Sequence, residues 1–231
     1  MGTPKNSAEE TRFRILEATA ELINQGGRDA ATTRAIAMAS QVQAPMIYRY
    51  FGDKQGLLDA VVEHVLAAYV EEKSSREPHQ DPVEELREGW NLHVRFGLAH
   101  PGLFLLMNGD HGSRSPAAAS GYQILSRKIK DIALAGRLKM SESRATALVH
   151  AVCLGTVLSL IGQPEALRDP KLAETAREMV IQAISNDDLE TKDQGVGVLA
   201  VSLNAKLAEA SVLSNSERQL LGEWLERIAD E

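Results

Sequence analysis

The chain has 231 residues, 44% hydrophobic and 25% charged side chains, a formal net charge of −7 and one cysteine, Cys153. That balance is ordinary for a globular protein of one large or two modest domains, and it argues against a wholesale nucleic-acid coat and rules out an internal disulfide framework. Aromatics are only 4%, and Leu, Ala, Ile and Val carry the apolar content, which favours helices over sheets.

Taken in order, residues 1–8 are polar and read as an arm. A first helix is expected over 8–24, with Ile15, Leu16, Thr19, Leu22 and Ile23 on one stripe and Gln25-Gly26-Gly27 ending it. Thr32 stands where an N-cap belongs for a second, short helix carrying Ile36 and Ala37. Ala39-Ser40-Gln41-Val42 reads as a tight turn with Val42 as its buried plug. A third helix follows, with Pro45 in its first turn and Ile47 and Phe51 facing inward at (i, i+4). Two short helices about such a turn form a helix-turn-helix, whose second helix enters the DNA major groove.

Asp53 is placed to cap a fourth helix over 54–72, bearing Leu57, Leu58, Val61, Val65 and Leu66, and a polar run over 73–82 marks a boundary. Helical patterning resumes over 83–107, broken at His100-Pro101-Gly102. A loop over 108–118 precedes a helix to about 138, with Tyr122, Leu125, Ile129 and Ile132 aligned. Residues 142–161 are apolar all round. They are slightly short for a membrane span, and a helix of this kind in a globular protein is expected to be buried on all sides. A partner helix after Asp169-Pro170 has a stripe of Leu172, Ala176, Met179, Val180, Ala183 and Ile184. Beyond a polar link over 186–194, two more amphipathic helices carry Leu199, Leu203 and Leu207, then Leu220, Leu221, Trp224, Leu225 and Ile228. Ser214 to Glu217 forms a capping box for the last.

The stretch Thr32-x-Arg34-x-Ile36-Ala37, Val42, Tyr48-x-x-Phe51, Lys54 and Leu57-Leu58 resembles the tetracycline-repressor (TetR) family. Upstream, Thr11-Arg12-x-x-Ile15-Leu16-x-Ala18-x-x-x-Leu22 and Gly26-Gly27 resemble that family's first helix and its exit. The resemblance covers residues 10–66. It departs from the pattern at Gln41, where the family has Gly in the turn, at Gln43, where it has a Ser cap, and at Ala35, which leaves no capping box. A left-handed backbone at Gln41 costs about 1 kcal/mol.

The resemblance implies an all-α chain. A helix-turn-helix head (1–54) is joined through the fourth helix (54–72) to a ligand-binding and dimerisation body (55–231) with two extra C-terminal helices. It implies a cytoplasmic bacterial homodimer on a pseudo-palindromic double-stranded DNA operator, with 142–161 paired against a second subunit. It implies a repressor released by a small-molecule effector and no cofactor or metal. Residues 1–54 hold seven Lys/Arg against six Asp/Glu, and the remainder 18 against 26; a near-neutral head on an acidic body suits DNA contact at one end. Tyr48 and Lys54 are the implied phosphate contacts, Lys54 at a helix N-terminus. Thr32, Thr33 and Arg34 open the second helix and can reach backbone or base. Gln43, Ala44, Met46 and Arg49 face the groove, where Gln reads adenine, Arg guanine, and Ala or Met a thymine methyl.

In the body, Trp90, His93, Phe96, Phe104, Met107 and Tyr122 gather most of the aromatic and soft side chains. They are either plain core or the lining of a largely apolar effector pocket. His93 and His100, seven apart, lack a third ligand at short spacing, so no metal site is read there. His150 and Cys153 at (i, i+3) read as core. An enzyme using the body is the alternative from another class, and no nucleophile–base–orienter set supports it. A regulator without an effector is the alternative within the class.

Overall fold

The computed structural model describes residues 4–75, 77–109, 116–186 and 195–230, and these form helices joined by turns and short loops. The helices are α1 Pro4–Ala30, α2 Thr33–Ala39, α3 Ala44–Phe51, α4 Lys54–Ser75, α5 Pro82–Ala99, α6 Pro101–Met107, α7 Pro116–Leu134, α8 Glu142–Ile161, α9 Leu172–Ile184, α10 Val196–Lys206 and α11 Asn215–Ala229. Among the described residues the one β-type pairing is an isolated antiparallel bridge between Leu138 and Ser185. The chain divides into two compact units, residues 1–76 with 95–121, and residues 77–94 with 122–231. Of the predicted arm at 1–8, residues 4–8 belong to α1, while 1–3 fall outside the described residues, as do most of the polar link at 186–194, Arg76 in the boundary run and 110–115 in the predicted loop.

The first unit is built on one apolar cluster. Ile15, Leu16 and Ile23 of α1, Ile36 of α2, Ile47 of α3 and Leu57, Leu58, Val61 and Val62 of α4 are all nearly inaccessible. Leu103, Leu106 and Met107 of α6 join the same cluster, so α6 packs as part of the helix-turn-helix core. The contact is close: a Cβ on Gly102 would lie 2.0 Å from the Ile23 carbonyl oxygen. Only glycine lets the start of α6 lie on the end of α1 this way. The helix-ending signal at Gly26-Gly27 is met by a kink. Gly27 adopts φ 71, and one further turn carries α1 to Ala30.

In the second unit α8 packs on α9, and α10 on α11. Arg87 of α5 donates to Glu178 of α9 (Nη2 to Oε2 3.0 Å) and to Glu84, while Arg177 donates to Glu178 and to Asn91. Trp90 Nε1 donates to the Ala173 carbonyl at 3.1 Å. Lys128 of α7 is paired with Glu85, a buried acid. Charged groups this poorly solvated persist because each has an opposite charge and hydrogen bonds in reach.

Several stripes lie differently from the sequence reading. The predicted seventh helix stops at Leu134, because the chain turns there and Lys139 N then donates to the Ile184 carbonyl, bringing Leu138 to the bridge. Helix α8 is not buried on all sides. Within the chain 39% of its apolar window is covered, and Ala147, His150, Ala151, Gly155 and Leu158 are exposed. His150 is therefore not core, whereas Cys153 is. On α9 Met179 is 67% exposed, and Ile181 takes the buried place beside Val180 and Ile184. In the C-terminal pair Leu199, Leu203, Leu220, Trp224 and Ile228 face solvent, while Ala200, Val201, Ala205, Leu207 and Leu225 are buried. Two glycines bring the helices close: Gly197 lies against the Ala229 and Ile228 carbonyls and Gly222 against Asn204 and Leu207.

Candidate nucleic-acid interface

The nine DNA-facing candidates lie on α2, on α3 with its N-cap, and at the start of α4. Thr32 caps α2: its hydroxyl accepts the Ala35 N–H at 3.1 Å, and Ile36 N donates to the Thr32 carbonyl at 2.9 Å. The turn after α2 is closed by Val42 N to the Ala37 carbonyl at 3.0 Å and by the buried Ser40 hydroxyl on the Ile36 carbonyl at 2.6 Å. Val42 packs against the head cluster as a partly buried plug. Gln41 sits at φ 55, the left-handed conformation that the turn demands and a glycine would adopt without strain. Gln43 occupies the N-cap of α3 without a side-chain hydrogen bond to the helix. Entry to α3 therefore rests on Pro45 in the first turn, whose fixed φ suits it, and on the burial of Ile47.

Burial of Ile36 and Ile47 determines what the rest of the two helices can present. With those residues inward, Thr32, Arg34, Gln43, Tyr48, Arg49 and Lys54 are exposed, and Thr33, Ala44 and Met46 are half-buried. Among the described residues Arg34, Arg49 and Lys54 make no ion pair or side-chain hydrogen bond, so three cations on this surface have no internal partner. Lys54 opens α4, where Asp53 caps the helix by accepting the Gly56 N–H at 2.7 Å. Arg12 is differently engaged, its guanidinium 5.3 Å from the centre of the Phe51 ring. One bond escaped the sequence reading. Thr33 Oγ1 and Tyr48 OH lie 3.0 Å apart and tie α2 to α3. Both residues were visible as candidates, but nothing in a 15-residue separation signals that their side chains meet.

The six candidate effector residues divide between the two units. In the first, Phe104 and Met107 are buried. Phe96 stacks on Tyr69, near the end of α4, with ring centres 4.5 Å apart and also neighbours His100 at 5.2 Å. In the second, Trp90 is buried and bonded to Ala173, His93 is half-buried, and Tyr122 is 44% exposed beside the His150 ring at 5.6 Å. Among the described residues no three His, Cys, Asp or Glu side chains group as metal ligands.

Residues 15–61 match the family model described as bacterial regulatory proteins, tetR family. Over 81 residues the chain is 35% identical to the tetracycline repressor protein class G of Vibrio anguillarum, covering 35% of this chain and 34% of that protein. Over 81 residues it is also 35% identical to the transcriptional regulator BetI of Paraburkholderia phytofirmans, covering 34% of this chain and 42% of that one. The matched region thus spans between a third and a half of these relatives. A solved TetR-family transcriptional regulator from Streptomyces coelicolor superposes over 74% of this chain and 95% of its own, with a TM-score of 0.56 and 26% identity.

Proposed function

We propose that, through its helix-turn-helix head, the chain belongs to the TetR family and is a DNA-binding transcriptional regulator, a repressor released by a small molecule. The observation that carries the reading is the surface of α2 and α3. Two buried isoleucines hold the helices as a pair, and the exposed Arg34 and Arg49, with Lys54 at the start of α4, have no counter-ion among the described residues. Phosphates supply the missing charge, and Gln43, Ala44, Met46 and Arg49 are the side chains available to base edges. One recognition helix reads too few bases to be selective. A homodimer doubles the site, with heads about 34–36 Å apart to meet successive major grooves. The open face of α8, with Ala147, Ala151, Gly155 and Leu158, is the surface we assign to the second subunit.

Effector release follows from linkage. A ligand frees DNA only if it binds the DNA-incompetent state better, and the coupling typically amounts to about 1–3 kcal/mol in both directions. In the first unit Phe96 lies on Tyr69, and the same α4 begins with Lys54. An apolar molecule that displaces the Phe96 ring therefore pushes on the helix that carries a phosphate contact. Phe96→Ala should abolish induction and leave DNA affinity without ligand nearly intact.

The direct test is binding to duplex DNA across salt concentrations. Lys54→Ala should weaken binding to all sequences alike and lower the slope of log affinity against log salt by about 1, one phosphate contact being lost. Gln43→Ala should change sequence preference instead. A Lys54→Ala protein with unaltered affinity and slope would contradict the reading.

A further inference from the structure

The 3.0 Å contact between Thr33 Oγ1 and Tyr48 OH changes how many donors the interface offers. Two hydroxyls carry two hydrogens, and the bond between them uses one. The pair therefore has one hydrogen left to give outward. Tyr48 is 46% exposed and Thr33 half-buried, so the free hydrogen belongs on the phenol. A phenol whose oxygen already accepts a hydrogen bond is polarised into a stronger donor. The bond also spans a junction with weak local support, where Gln41 is held at φ 55 and α3 starts without a side-chain cap.

We propose that Thr33 is a positioning residue for Tyr48: the Thr33 hydroxyl donates to the phenolic oxygen, and the phenol donates to one phosphate oxygen of the DNA backbone. The two residues then make one DNA contact between them, not two. This inference rests on the DNA-binding reading above.

The experiment is a double-mutant cycle. Affinity for a duplex of arbitrary sequence is measured at several salt concentrations for the wild type, Thr33→Val, Thr33→Ser, Tyr48→Phe and the Thr33→Val/Tyr48→Phe double variant, with thermal melts to verify folding. Should Thr33→Val not fold, Thr33→Ala replaces it. Tyr48→Phe is expected to weaken binding about fivefold per head, the size of a neutral hydrogen bond. Thr33→Val is expected to weaken it in the same direction, and the double variant no further than Tyr48→Phe alone. Thr33→Ser should bind like the wild type. None of these neutral changes should alter the salt slope, which Lys54→Ala lowers. A double variant whose loss equals the product of the two single losses would show independent contacts and overturn the inference, as would wild-type affinity for Thr33→Val. A wild type that does not bind duplex DNA at low salt would end the DNA-binding reading and this inference together.

Discussion

The head and the C-terminal hairpin of α10 and α11 treat their apolar residues in opposite ways. In the head the stripes of α1 to α4 converge, and Ile15, Ile23, Ile36, Ile47, Leu57 and Leu58 are all at most 2% exposed. In the hairpin two glycines, Gly197 and Gly222, stand where the helices meet, while Leu203, Leu220 and Trp224 are each about half exposed. A core of large side chains tolerates little change, because each lost methylene leaves a void. A seam of small ones buries less area per residue, so it draws more of its order from caps and local hydrogen bonds.

The sharpest way to break this contrast is to empty the head core. Leu58→Ala should cost about 2–5 kcal/mol in thermal or denaturant unfolding, whereas Leu203→Ala on the hairpin surface should shift it by about 0.5 kcal/mol or less. If the two cost the same, Leu203 is covered in solution. Caps come next. Ser214→Ala removes a reciprocal box, Ser214 Oγ accepting the Glu217 N–H at 3.3 Å and Glu217 Oε2 accepting the Ser214 N–H at 2.8 Å. It should cost about 1 kcal/mol, seen by hydrogen exchange as faster opening of α11 with the head unchanged.

The second unit also has a pH signature. Hydrogen bonding from Arg87 holds the Glu178 carboxyl below its ordinary value, helped by Arg177. A depressed carboxylate contributes stability that is fully present above its unfolded pKa and is lost as pH falls through the folded value. Stability should therefore decline as pH drops below about 4.5. Glu178→Gln should flatten that decline and cost about 1 kcal/mol at pH 7. An identical acid limb in the variant would show that the network is not responsible. A further small effect has the opposite sign. Gln41→Gly relieves a left-handed residue and should stabilise the head by about 0.5–1 kcal/mol; a destabilised Gln41→Gly protein would show that the side chain contributes something the turn needs.

What was legible in the sequence was local. The Thr32 cap, the uncapped Gln43, the left-handed turn at Gln41, the Asp53 cap and the Ser214 box each involve residues within four positions of one another, and each is present in the structure. What was not legible depended on distant partners. A stripe such as Leu172 to Ile184 states that a helix is amphipathic, but the neighbour decides which flank is covered, and here it covers Ile181 and leaves Met179 exposed. Glu178 is 91 residues from Arg87, and α6 reaches the head core only because Gly102 allows it. The aromatic residues over 90–122 looked like one group, yet they fall into two units, because the chain changes unit inside α5.

The central claim is that the surface formed by α2, α3 and the start of α4 binds DNA. The most direct measurement is NMR of the labelled protein titrated with a short DNA duplex, following backbone and arginine side-chain signals. The expected result is that Arg34, Gln43, Tyr48, Arg49 and Lys54 shift together and saturate with one affinity, while signals of α9 and α11 are unmoved. Shifts confined to the second unit, or none at low salt, would contradict it.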